Sequence, residues 1–331
     1  MTQPNASPFA CPYCGGNQSG ESIAVPESMF GQGEWFQYDI CQACKSAVLR
    51  DVPPAMDEYY PGEYYSIGQD PEILFGGRRR LPARLLATTA LWGGSPGESV
   101  VRATRNGEAA RYAGILRSVA RAGLRRGRST RIIDVGSGSG FLVHLLALGG
   151  LTNVLGVDPY LPADRLLTSG AKLERGHLGE SGTGWDIVMF HHSFEHVADP
   201  MAELALAKKA LAPGGSILIR MPTVSSWAFQ RYGAAWFQLD APRHLTIASR
   251  LGVEALAAQV GLRVSSVIDD STAVQFWRSD QIAADLDAGR PPQAVRPPEL
   301  SAAELRTLAH EAVKLNRAAA GDQAAWVLRE E

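Results

Sequence analysis

The chain has 331 residues, 45% of them apolar, enough to bury a large core in one main domain with an accessory piece. It contains no run of eighteen apolar residues, and its first ten residues lack a basic stretch followed by an apolar one. These features argue against a spanning helix or an export signal, and a cytoplasmic protein is expected. The formal charge of −2 is uneven: residues 1–70 sum to −7, whereas residues 71–131, with 13 Arg and 3 Glu, sum to +10.

All four cysteines lie in the first 44 residues, Cys11 and Cys14 in CPYC and Cys41 and Cys44 in CQAC. Two C-x2-C pairs separated by a loop predict one tetrahedral zinc site, and Gly15 and Gly16 suit the turn that brings two thiolates to one metal. Disulfides and a rubredoxin-like iron are the alternatives. Four thiolates leave no open position, so the zinc would be structural. Zinc ribbons often bind nucleic acid, but a segment at −7 repels phosphates, and no nucleic-acid partner is expected. The predicted organisation is a ribbon over 1–50, a linker and helical cap over 51–127, and the main domain over 128–331. The linker carries Tyr59, Tyr60, Tyr64 and Tyr65, which would either close over a ligand or pack the ribbon on the core. The arginine-rich stretch reads as a solvated helix face or as a contact for an anionic partner.

From residue 131 onward, strand and helix signals alternate. Strands are predicted at 131–136, 153–158, 171–175, 185–191, 216–221 and 263–269, and helices at 141–149, 199–211 and 247–260. This alternation predicts an α/β fold with a parallel sheet covered on both faces. Residues 132–142 read IIDVGSGSGFL, a buried strand running into a glycine turn that opens a helix. Such a turn is a place for a ligand, with backbone N–H groups expected to point outward and no side chains to block approach. A dinucleotide would require G-x-G-x-x-G, yet Phe141 stands where the third glycine belongs, and Asp134 lies just before the ladder.

D-V-G-S-G-S-G resembles motif I of the class I S-adenosylmethionine-dependent methyltransferases, and further landmarks follow in order over about 131–330. Asp158 ends NVLGVDP, LERGHL (173–178) ends the third strand, and WDIVMFHHSFEHVADP (185–200) resembles motif IV. LAPGGSILIRMP (211–222) resembles the turn before strand five, and GDQAAWVLRE (321–330) the last strand. LDAPRHLTIAS (239–249) resembles a stretch of bacterial small-molecule and polysaccharide methyltransferases. The ribbon and its tyrosine-rich linker are similar to the amino-terminal part of such enzymes. The resemblance implies a doubly wound, seven-stranded, Rossmann-like sheet with its last strand antiparallel, preceded by the ribbon. It implies S-adenosyl-L-methionine as cofactor, with Asp134, Gly136, Ser137, Gly138 and Gly140 holding the methionine part and Asp158 the ribose. Pro159, His177 and Leu178, beside Val157, would sandwich or edge the adenine, and His191 is a further candidate cofactor-binding residue. The implied reaction is O- or C-methylation of a small-molecule or sugar acceptor in cell-surface polysaccharide or secondary metabolism. The alternatives are an NAD-dependent oxidoreductase and a non-catalytic zinc-ribbon module on a methyltransferase fold.

His192, Glu195 and His196 also match H-x-x-E-H, the inverted zinc-peptidase pattern. That chemistry needs both histidines on one helix face, whereas here the motif leaves a strand and enters a loop. A purely structural reading has His196 bonded to backbone and Glu195 capping the next helix. For catalysis, His192, His244 and His196 are the candidate general bases, since imidazole titrates near neutral pH. His244 is favoured, because Arg243 beside it would hold an anionic acceptor. Trp227, Phe229, Tyr232, Trp236 and Phe237 would form either a lid packed on the core or a platform for a sugar or aromatic ring.

Overall fold

The computed structural model describes residues 9–60, 70–93 and 107–331, so Tyr64 and Tyr65 lie outside the described residues. The main sheet contains β4 (Arg131–Val135), β5 (Asn153–Asp158), β6 (Arg165–Leu166), β7 (Lys172–Arg175), β8 (Trp185–His191), β9 (Leu211–Pro222), β11 (Leu262–Asp269) and β12 (Gln323–Glu330). Its order is β11-β12-β9-β8-β4-β5-β7-β6. Strands β9, β8, β4, β5 and β7 run parallel, and β12 is antiparallel to both of its neighbours. The expected count of seven becomes eight, because Arg165 and Leu166 fold back antiparallel on β7. Two residues carry no periodicity, so nothing in the sequence announces this edge. Strand five also starts earlier than expected. Leu211 already pairs with Trp185, and a register shift takes up the proline–glycine turn before Ser216 pairs with Ile187.

Each central strand sends alternate side chains to opposite faces, as a sheet covered on both sides requires. Ile132, Ile187, Met189 and Val327 join the core formed with helices α1 (Arg80–Trp92), α2 (Gly107–Gly123) and α3 (Phe141–Leu148). Ile133, Val188, Phe190 and Trp326 face the other way, toward helices α4 (Pro200–Ala210) and α5 (Arg250–Gln259). Cys11, Cys41 and Cys44 belong to this second core. Asp199 starts α4 by accepting the N–H of Ala202, with Pro200 at the first helical position, where its missing donor costs nothing.

The amino-terminal segment is an antiparallel sheet of β1 (Ser19–Pro26), β2 (Trp35–Cys41) and β3 (Ala47–Leu49), completed by β10 (Thr246–Ile247) from far along the chain. The Tyr38 hydroxyl donates to the His244 carbonyl at 2.6 Å, and the Tyr13 hydroxyl meets that of Thr246 at 3.1 Å. The aromatic segment packs on this sheet. Trp236 lies in a core with Val25, Tyr38, Leu49 and Ile247, edge-on to Phe229. Trp227 contacts Tyr232 and Phe276.

Arg243 ties these parts together. Its guanidinium, fully buried, lies 2.7 Å from Glu27 and 2.6 Å from Asp240, with the ring of Phe30 on its face. The expectation that Arg243 holds an anionic acceptor is therefore corrected: its donors are spent inside the protein. Removing one member of a buried ionic cluster leaves the others uncompensated, at about 3–5 kcal/mol. Arg243→Met, similar in length but uncharged, is expected to lower urea-unfolding stability by about that amount. A loss under about 1 kcal/mol would show that Arg243 is not the tie between ribbon and sheet.

Candidate functional site

Beyond the carboxyl ends of β4, β8 and β9 lies a cavity of about 500 Å³. Asp134, Gly136, Ser137, Gly138, His191, His192 and His244 all reach its wall. The glycine ladder works by shape. Gly136 and Gly140 adopt φ of +72° and +83°, and a Cβ on either would come within 2.5 Å of Ser193 or Leu173 respectively. The expectation that the loop's N–H groups face a ligand is overturned for most of them. Those of Gly136 and Ser137 donate to the Val157 carbonyl, that of Gly138 to Asp158, and that of Gly140 to the Ser137 carbonyl. The loop is thus stitched to β5, and the glycines supply closeness more than donors.

Asp158 is buried and does not line the cavity; its two oxygens accept from Gly138 and Tyr160 at 2.9 Å each. Of the residues expected around the adenine, His177 is exposed and caps a short 3-10 turn. Leu178 is buried in the core beneath the sheet, so it does not border the cavity as expected. Pro159 is half-buried and off the cavity wall.

Asp134 is the least satisfied group here. It is buried, and its Oδ1 has no hydrogen-bond partner among the described residues; the Ser137 hydroxyl is likewise unpartnered. Burial, with Asp158 adding repulsion, raises its carboxyl well above the usual range. A cationic ligand group seated at Asp134 would relieve both.

The histidines separate into distinct roles. His192, at φ +52°, places Nδ1 3.2 Å from Glu195, and its Nε2 accepts from Arg220, which in turn pairs with Asp270 at 2.6 Å. Burial and the Arg220 charge lower its pKa. His191 is likewise lowered by burial, with Arg220 next in effect. His196 is half-buried and off the cavity wall, donating from Nδ1 to the Arg243 carbonyl at 2.8 Å. His244 donates from Nδ1 to the Gln238 carbonyl at 2.8 Å, and its Nε2 lies 3.8 Å from Glu195. Phe194–His196 is a 3-10 turn, so H-x-x-E-H has no helix to ride on, and Asp199, not Glu195, caps α4. Glu195 is fully buried; burial pushes its carboxyl up, but the hydrogen bond from His192 and the nearby imidazoles outweigh this and hold it at about 2.

Sequence reasoning missed Glu195 as the hub of the histidines, and Arg220 as the partner of His192. Arg220 did leave a trace, as the one charged residue in ILIRMP. Of the five aromatics expected as lid or platform, only Phe237 reaches the cavity. The cysteines converge as anticipated: their sulfurs lie within 4.8 Å of one another, with Cys11–Cys44 at 3.5 Å and Cys14–Cys41 at 3.6 Å. Thiolates on one zinc, at about 2.3 Å from it, sit about 3.8 Å apart, whereas a disulfide needs about 2.05 Å. The donor set fits a tetrahedral ion.

Residues 107–267 match the family model of a methyltransferase domain. This segment is a methyltransferase domain. The ubiquinone biosynthesis O-methyltransferase of Dinoroseobacter shibae is 38% identical over 101 residues, 28% of this chain and 40% of that protein. Its namesake from Cereibacter sphaeroides is 33% identical over 127 residues, 34% of this chain and 50% of that protein. The chain thus spans half or less of the length of these curated relatives. A crystal structure of a SAM-dependent methyltransferase from Archaeoglobus fulgidus, 18% identical, covers 71% of this chain and 97% of its own at a TM-score of 0.43. The methyltransferase domain places its ladder, Asp134, His191, His192 and His244 on one cavity, and no described helix is long and apolar enough to cross a membrane.

The orphaned carboxyl of Asp134 yields a pH test. A raised native pKa means that the folded state holds this proton where the unfolded chain, titrating near pH 4, has lost it. Stability therefore falls as pH rises above about 4 toward the folded value. Asp134→Asn is expected to stabilise the ligand-free protein at pH 7 by about 1–3 kcal/mol, with the gain vanishing below about pH 4. Urea unfolding across pH checks this, and a pH-independent difference would overturn it.

Proposed function

We propose that this chain transfers a methyl group from S-adenosyl-L-methionine to an oxygen of a small-molecule acceptor. The observation that carries the reading is the methyltransferase domain with a buried, unpartnered Asp134 carboxylate at its glycine ladder. Asp134 would receive the methionine ammonium, and Gly136 and Gly138 would let the ligand lie against the backbone. Asp158 would act on the ligand through this loop, which it keeps in place by accepting the N–H of Gly138. The cofactor supplies an already activated sulfonium methyl, so the protein's task is to align the acceptor and exclude water. The names of the curated relatives support a small-molecule hydroxyl as acceptor. Of the five aromatics read as a lid or a platform, Phe237 alone is on the cavity wall to meet an acceptor.

Of the three candidate histidines, His244 is the one we assign to the acceptor side. It lines the cavity with its Nδ1 pinned to backbone, so Nε2 is its open lone pair. His192 has both nitrogens engaged. We also propose that the four cysteines hold a structural zinc that keeps the ribbon docked against β10.

Calorimetry is expected to show S-adenosylmethionine binding, weakened in Asp158→Ala by about 1–3 kcal/mol. His244→Ala should lower turnover about 100-fold or more with little change in cofactor affinity. Tight NAD binding without S-adenosylmethionine binding would sink the reading. For the ribbon, elemental analysis should find one zinc lost in Cys11→Ser. Protease sensitivity should then appear over residues 9–50, because folding and metal binding of such a ribbon are coupled. Unchanged zinc content would refute the assignment.

A further inference from the structure

Glu195, His196 and His244 come from two separate loops, yet each offers a ligand atom within 4.8 Å of the others. Both imidazoles are oriented in the same way, with Nδ1 hydrogen-bonded to a backbone carbonyl, that of Arg243 for His196 and that of Gln238 for His244. A carbonyl at Nδ1 fixes the proton there and leaves Nε2 as the free lone pair, the arrangement that metal-ligating histidines use. Glu195 is fully buried, and its Oε2 has no hydrogen-bond partner among the described residues. A carboxylate oxygen in that state is costly unless something cationic meets it.

The local charge points the same way. Asp240 and Glu27 are buried around Arg243, and His244 links them to the buried Glu195, its Nε2 lying 3.9 Å from Asp240 Oδ2 and 3.8 Å from Glu195 Oε1. Arg278 adds a second guanidinium, donating to the carbonyls of Ser28 and Gln293. Three carboxylates against two guanidiniums leave the cluster short of positive charge while the imidazoles are neutral. Arg220 does not make up the difference, since Asp270 already pairs with it.

We propose that Glu195, His196 and His244 bind a divalent first-row transition-metal ion at the wall of the acceptor cavity. Two imidazoles and one carboxylate suit zinc, cobalt, nickel or iron better than magnesium or calcium, which prefer oxygen donors alone. Nitrogen and oxygen ligands about 2.1 Å from a tetrahedral ion sit about 3.4 Å apart. The 3.8 Å between His244 Nε2 and Glu195 Oε1 therefore needs only small side-chain adjustments. Three protein ligands leave a coordination position open, and His244 is on the cavity wall, so that position would serve an acceptor oxygen. A metal there lowers the pKa of a bound hydroxyl, giving His244 a role as ligand in place of free base. The metal site stands apart from the methyl-transfer reading, because binding is measured without S-adenosylmethionine or acceptor.

The test is titration of the zinc-loaded full chain with Co²⁺ alone, followed by calorimetry and visible absorption. One further ion per chain is expected, with weak ligand-field bands and no intense thiolate-to-cobalt absorption. Glu195→Gln and His244→Gln should each weaken that binding about 100-fold or more, with circular dichroism and melting of the zinc-loaded, cobalt-free protein confirming that the variants fold. Should a variant fail to fold, His196→Gln and the wild-type spectrum still decide. Absence of a saturable cobalt site, a thiolate spectrum for the added ion, or wild-type affinity in the folded variants would overturn the proposal.

Discussion

The buried pairing of Arg243 with Glu27 and Asp240 is the contact on which the architecture of the site depends. It joins the ribbon to the loop that carries His244, across more than two hundred residues of chain. Its charges are worth keeping only if all are present, since a lone buried charge costs far more than the complete cluster. Around it, Tyr38 holds the His244 carbonyl and β10 completes the ribbon's sheet. The ribbon is therefore a wall of the site. Loosening it would move the His244 imidazole on the cavity wall.

A second constraint sits at the opposite wall. The glycine turn needs positive φ and cannot carry side chains, because Ser193 and Leu173 stand in the way. Its own N–H groups are spent on β5 and Asp158, so the cavity's polar chemistry falls to side chains. Asp134 on the cavity wall and the fully buried Glu195 beside His244 are both left partly unsatisfied. A protein that tolerates two such groups holds them at a cost to its own stability, which a bound ligand would offset.

Much of this organisation was legible in the linear chain. The parallel strands stood out as short apolar runs separated by helical periodicity, and the glycine ladder with Asp134 marked the ligand end. The cysteine spacing predicted the convergence of four thiolates. Legibility failed where a residue's role depends on a distant partner. Arg243 was read as an acceptor-binding cation because it stands beside His244 in sequence. In space its neighbours are Glu27 and Phe30. The aromatic segment was ambiguous for the same reason: only the ribbon's sheet, lying against it, turns Trp236 into core.

The sequence by itself determined the class of sheet, the place of the ladder and the metal-ligand spacing, because these rest on periodicity and on contacts a few residues apart. Tertiary structure alone decided which histidines face the cavity, which arginine is spent, and how Glu195 gathers His192, His196 and His244. The physical reason is that burial and hydrogen bonding act through space. An imidazole nitrogen is free or occupied according to what the rest of the chain brings beside it.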